Sequence, residues 1–277
     1  GLLSWGFADF LAAQAARKIG SYSVTLWAYL FGFLGTAPFA VFQFLSMDAS
    51  LDFRGILIWS FACGLVSSSA YLAYYKGLEK GPVSVVSSAA SAWLAVCVLF
   101  SIFLFGESVS LPQATLMFFI LVGIVLLSQS PSHEKIFGSG LAWALLAMLI
   151  LGWAMAVLPR LSDAAGPFFS VLILKTMGGV GALLILRSAK ISIIMPQGRN
   201  LWRAIGLAGS IDAAGFIFFN LGVSFLPVVI VAPIVAAHPL ATVILAVILF
   251  KERPRKIQWA GVLITILAVI TLSAIFG

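Results

Sequence analysis

Four ionisable side chains stand inside long apolar stretches of this chain: Asp9, Lys175, Asp212 and His238. A charge at membrane depth costs a few kcal/mol on insertion, so each is a functional candidate: it binds a solute, moves a proton or pairs with another charge. Asp9 lies eight residues before Arg17, roughly mid-bilayer at ~1.5 Å of rise per residue. It shares a helical face with Leu2, Trp5, Ala12 and Ala13. A carboxylate there can exchange protons, or it can sit near an interface bonded to serine or water. His238 could take and release a proton near neutral pH, or remain a neutral hydrogen-bonding group. Pro239 beside it removes one backbone hydrogen bond. Lys175 either pairs with an acidic residue or snorkels toward the surface.

Asp212, Phe216, Phe219 and Asn220 follow an i, i+4, i+7, i+8 spacing and share one helical face. Aromatic rings beside a carboxylate suit amines, through cation–π contact, and flat apolar groups. The bland reading of the same face is aromatic packing, with the polar groups bonded between helices.

The elements that must hold these residues are membrane spans. Of 277 residues, 62% are hydrophobic and 9% charged, with mean hydropathy +1.14; soluble domains carry about 25% charged residues. Runs long enough to cross hydrocarbon fall near 1–16, 22–46, 53–76, 82–105, 112–130, 138–159, 167–187, 201–222, 228–250 and 257–276. Their length excludes a β-barrel, whose strands alternate over about ten residues. The fold class is therefore all-α, with ten transmembrane helices.

Thirteen Lys and Arg residues lie beside odd-to-even connections, against Arg54 and Arg160 on the other side. That bias places those connections in the cytoplasm and both termini outside. It also accounts for the net charge of +7 without nucleic acid. Cys63 and Cys97 have neither metal-ligand nor disulfide spacing and read as packing residues.

A repeat organises the chain. At an offset of 145, Gly77, Pro82 and Val86 meet Gly222, Pro227 and Val231; Glu107 and Gln113 meet Glu252 and Gln258. The halves are 1–130 and 138–277, joined by 131–137. Five spans per half is an odd number, so the second copy is inverted, and a solute site is expected between halves near the midplane. The same offset carries the Asp212 face onto Ser67, Tyr71, Tyr74 and Tyr75, and His238 onto Trp93. Ser84, Ser87, Ser88 and Ser91 stripe the fourth span, a pattern of close helix packing. Glu107 and Glu252 sit at helix ends as capping or gate residues.

Tyr75-Lys76-Gly77-Leu78, Gly81-Pro82, Phe105-Gly106-Glu107 and Gln113 resemble the drug/metabolite transporter superfamily, in its ten-helix EamA-type members. In the second half, His238-Pro239-Leu240, Phe250-Lys251-Glu252 and Gln258-Trp259-Ala260-Gly261 carry the likeness. Trp93-Leu94 and Leu116 depart from the pattern where a Pro-Leu pair and a glycine are expected. The resemblance implies a permease or exporter of small organic solutes, with a cavity lined by helices 1, 3, 4, 6, 8 and 9. It also implies termini in the cytoplasm, opposite to the charge bias. Ala8-Asp9 followed by Arg17-Lys18 looks like the first helix of small multidrug resistance proteins, whose acidic residue binds protons and cationic drugs in turn.

The expected function is alternating-access transport, as an exporter, of an amino acid or related metabolite. Proton-coupled antiport of lipophilic or cationic drugs is the alternative, and an intramembrane enzyme built on Asp9 and Asp212 a remote one. Zinc-protease, nucleotide-loop and serine-elbow motifs are absent from the sequence, so no enzyme, cofactor or metal is expected. The expected cavity residues are Trp5, Asp9, Ser67, Tyr71, Tyr74, Tyr75, Ser88, Trp93, Asp212, Phe216, Phe219, Asn220 and His238, with Asp9, Asp212 and His238 as proton-coupling candidates. The expected setting is a prokaryotic inner membrane, as monomer or homodimer, with solute and lipid as the partners.

Overall fold

Backbone groups in lipid must be bonded within the chain, and helices do this throughout. The computed structural model describes residues 1–46, 51–127, 139–241, 244–245 and 255–276. Among the described residues there is no strand, and the helices occupy ten stretches. We number them α1 (Leu2–Ile19), α2 (Ser21–Ser46), α3 (Phe53–Lys80), α4 (Val83–Ser91 and Trp93–Phe105) and α5 (Leu111–Leu127). There follow α6 (Ser139–Ala165), α7 (Pro167–Ser188), α8 (Arg199–Val223), α9 (Val228–Ala236, resuming to Ala241) and α10 (Lys256–Phe276). Seven are long and apolar enough by themselves to cross a membrane, and α5 and α9 are shorter apolar helices. The remaining helix, α1, carries Asp9, Arg17 and Lys18. Large apolar side chains such as Phe42, Phe103, Phe118, Leu184 and Leu263 are exposed on the outer surface, where lipid rather than water would meet them.

The helix boundaries follow local chemistry. Gly20 and Gly166 both take positive φ, 80° and 81°, which lets α1 turn into α2 and α6 into α7 with almost no loop. The sequence places a connection from Arg160 to Pro167, but α6 runs on to Ala165. Pro159 is tolerated inside it, and Gly166-Pro167 is the real stop. The Gln43 side chain ties this end together: its Nε2 donates to Ala165 O at 2.8 Å, and its Oε1 accepts the N–H groups of Phe168 and Phe169 at the start of α7. Glu107 caps α9 in the same way, accepting the Val229 N–H at 3.1 Å; it is a capping residue. Glu252, and the side chain of Ser84, lie outside the described residues.

Three spans are irregular, each for an identifiable reason. In α3, Ser60–Leu65 forms a π turn, a widening found often at functional sites; the carbonyl of Ala62 in it is taken by Trp153 Nε1 at 2.8 Å. In α4 the helix breaks at Ala92 (φ −65°, ψ 0°), and in α9 at Ala237 (φ −74°, ψ 9°). Pro239 explains the second, since it cannot donate to Val235. Ahead of the first, the Ser91 hydroxyl bonds Ser87 O at 2.7 Å, a back-bond that bends helices.

Small residues set the crossings. Gly209 of α8 lies against the Ala28 carbonyl and Phe31 of α2, while Gly64 of α3 lies against Met177 of α7. At the α2–α7 crossing, Gly178 faces the ring of Tyr29 and Gly32 faces the stem of Lys175. Helices α5 and α10 meet at Gly123 and Gly261; a Cβ on Gly261 would stand 2.8 Å from Gly123 O. Backbones this close gain contact that lipid cannot replace. Cys63 and Cys97 are buried free thiols.

Candidate solute-binding site

A cavity with an empty volume of about 410 Å³, its mouth included, opens at the meeting of six helices. Trp5 and Asp9 come from α1, Tyr71 and Tyr74 from α3, Ala90 and Trp93 from α4, Leu151 and Met155 from α6, Asp212 and Phe216 from α8, and His238 from α9. These are the six helices that the family resemblance implies. The lining is mostly aromatic and apolar with a few polar groups, as small-molecule sites require.

Two polar networks flank it. In the first, Asp9 Oδ2 accepts the Ser87 hydroxyl at 3.1 Å and lies 3.2 Å from His238 Nδ1. That His238 contact is not aligned as a hydrogen bond, but the other ring nitrogen, Nε2, bonds Ser91 Oγ at 2.9 Å. Tyr74 stands beside Asp9 and Ser87, yet its buried hydroxyl makes no bond of proper length and direction. The serine stripe therefore does more than permit close packing: Ser87 and Ser91 hold the acid and the base of this network. The hydroxyl of Ser88, by contrast, is buried without a partner.

In the second network, Lys175 finds its acidic partner. Its Nζ lies 2.5 Å from Asp212 Oδ2, with the two side chains 1% and 9% exposed, and the Tyr71 hydroxyl donates to Asp212 Oδ1 at 2.7 Å. The ammonium also sits 4.2 Å from the Phe216 ring centre and 5.3 Å from that of Tyr71, so aromatic faces share in holding it. Trp5 joins the two networks. Its indole N–H donates to the Asp212 carbonyl at 3.2 Å, and its rings pack edge-on to Trp93, Phe216 and His238.

Five expected cavity residues lie elsewhere. Asn220 is fully buried and donates to Ser170 Oγ at 2.8 Å and Pro167 O at 3.1 Å, joining α8 to α7. Ser67 bonds Tyr29 Oη at 3.2 Å and Gly64 O at 2.7 Å. Tyr75 and Phe219 are packed into the apolar clusters behind the wall, and Ser88 is buried within α4. A helical face is wider than a cavity wall, so residues at its margins turn into neighbouring helices instead. Ala90, Leu151 and Met155 are the lining residues that sequence reasoning passed over, because apolar residues in an apolar span give no signal.

Ten helical stretches around a mostly apolar cavity that holds two carboxylates and a histidine describe a polytopic membrane protein built to hold a small solute. The chain belongs to the EamA-like transporter family, whose model matches residues 1–129 and 138–274. An uncharacterized transporter from Archaeoglobus fulgidus is 24% identical over 276 residues, which is 98% of this chain and 94% of that protein. A solved crystal structure shares the fold with TM-score 0.73 and 16% identity, over 99% of this chain and 93% of the other. The protein is thus an integral membrane transporter of small solutes.

Proposed function

We propose that this protein moves an amino acid or related metabolite by alternating access, as an exporter, between two inverted halves at 1–130 and 138–277. The cavity carries this reading: it lies where α1, α3 and α4 meet α6, α8 and α9, and it combines aromatic walls with carboxylates. Reciprocal contacts support the duplication. Residues 32 and 178, 29 and 175, and 64 and 209 are matched across the halves at offsets of 146, 146 and 145, and each pair packs in the same manner on the exchanged partner helix. The broken helices α4 and α9, matched at Ala92 and Ala237, supply places where the halves can bend. An aspartyl dyad would share a proton between its acids, whereas Asp212 is occupied by Lys175 and Tyr71, and Asp9 by Ser87 and His238.

Counterflow in proteoliposomes tests this. Preloaded amino acids, amines and lipophilic cations are screened one by one for exchange with external label. Saturable exchange of at least one small solute is expected; leakage without saturation by any of them would remove the carrier reading.

A second reading, proton-coupled antiport of cationic drugs, is favoured by Asp9, whose charge faces no lysine or arginine in the cavity lining. Under it, Asp9→Asn abolishes uptake driven by a pH gradient. Full pH-driven activity in that variant would sink the antiport idea.

A further inference from the structure

The two carboxylates in the cavity wall look alike in sequence and differ in what surrounds them. Asp212 gives one oxygen to Lys175 and the other to Tyr71, so a full positive charge already answers it. Asp9 has only hydroxyl and imidazole neighbours, and both of its contacts, with Ser87 and His238, fall on the same oxygen, Oδ2. Beside it the Tyr74 hydroxyl, 6% exposed as a residue, stands near Asp9 and Ser87 without a hydrogen bond of proper length and direction. A ligand atom at that spot would supply the directed partner that this buried hydroxyl lacks. The groups turned toward this corner are Ser87 and Ser91 from α4, His238 from α9, Tyr74 from α3 and the Trp5 ring from α1. Among the described residues the cavity lining contains no lysine or arginine, and Lys175 is held behind Asp212.

We propose that this corner is a primary-ammonium site, and that the protein binds aromatic monoamines in preference to the corresponding zwitterionic amino acids. The ammonium donates to Asp9 and to Tyr74 Oη, and its ring lies among Trp5, Trp93 and Phe216. Cation–π contact with Trp5 adds to the attraction. The carboxylate of an amino acid would meet Asp9, with Asp212 already paired to Lys175 and no free cation in the described lining to receive it. Like-charge juxtaposition of this kind costs enough to weaken binding by at least about tenfold. The inference rests on the proposed transport reading only in taking this cavity as the solute site. It narrows the solute, within amino acids and their relatives, to the amine.

Equilibrium binding to the purified full chain in lipid nanodiscs tests it without any gradient, using labelled 2-phenylethylamine, L-phenylalanine, 3-phenylpropionate and 2-phenylethanol. Saturable binding of the amine is expected, with phenylalanine weaker by at least about tenfold and neither the acid nor the alcohol bound. Asp9→Asn should abolish amine binding. Tyr74→Phe keeps the ring and its packing and should weaken the amine several-fold without lowering thermal stability. Phenylalanine binding as tightly as the amine, no saturable amine binding, or unchanged amine affinity in both variants overturns the proposal. Amine binding without counterflow of any solute would instead overturn the transport reading and leave the site standing.

Discussion

In the proposed arrangement of two inverted halves, Tyr29–Ser67 and Lys175–Asp212 occupy matching places and differ in kind. Each joins the second helix of its half to the third, α2 to α3 and α7 to α8. The first is a neutral hydroxyl contact of 3.2 Å; the second is a buried ion pair of 2.5 Å. Each long side chain lies against a glycine of the other half, Tyr29 on Gly178 and Lys175 on Gly32. Under the proposed duplication, one joint is built twice, once with a weak bond and once with a strong one. A buried ion pair is not in itself a gain over apolar packing, but breaking one side of it is expensive. The second half is therefore the one whose joint is intolerant of single changes.

The largest expected effect comes from Asp212→Ala, which strands the Lys175 ammonium and should cost about 3–5 kcal/mol. A thermal-shift measurement in detergent should show a strong drop. The double change Lys175→Tyr with Asp212→Ser copies the first joint into the second and should regain most of that loss. Stability of Asp212→Ala equal to the wild type would end the comparison. Next come the glycines. Gly178→Ala would push a methyl into the Tyr29 ring, costing about 1–3 kcal/mol, whereas Gly32→Ala meets the Lys175 stem at 3.1 Å and the Gly209 carbonyl at 3.2 Å, a looser fit that should cost less. Equal melting temperatures for the two variants would mean that the closer approach at Gly178 is relieved by a shift of the ring. The smallest effect belongs to Tyr29→Phe, which deletes only a neutral hydrogen bond worth about 0.5–1.5 kcal/mol. A drop as large as that of Asp212→Ala would show that the first joint has been underestimated.

Much of the fold is legible because lipid imposes a coarse rule: ten apolar runs long enough to span give ten helical stretches among the described residues, and the expected ends at 130 and 250 lie outside those residues. The end of α6 was misplaced because Arg160 and Pro159 look like a loop, while a proline within a span still allows the helix to continue. Within the site, Asp9, Asp212 and His238 stand out in sequence because charge at membrane depth is costly. Their partners do not stand out. Lys175 lies on a different helix from Asp212, and nothing local to either names the other. Tyr29 was missed altogether, although a signal existed. It corresponds to Lys175 at an offset of 146, whereas the register read from Gly77 and Pro82 is 145. One residue of difference between the α2–α3 and α7–α8 connections hides the match. The spread of expected lining residues over Ser67, Tyr75, Phe219 and Asn220 has another reason: periodicity gives a face, and only packing decides which part of that face meets open space.

The bond between Ser91 and His238 joins the last residue before the break in α4 to the first residue after the break in α9. Two elbows are therefore connected by a single strut across the middle of the molecule. Flexing one would pull on the other while the strut holds. Because the same imidazole also leans on Asp9, whatever docks at that carboxylate would have its hand on the linkage.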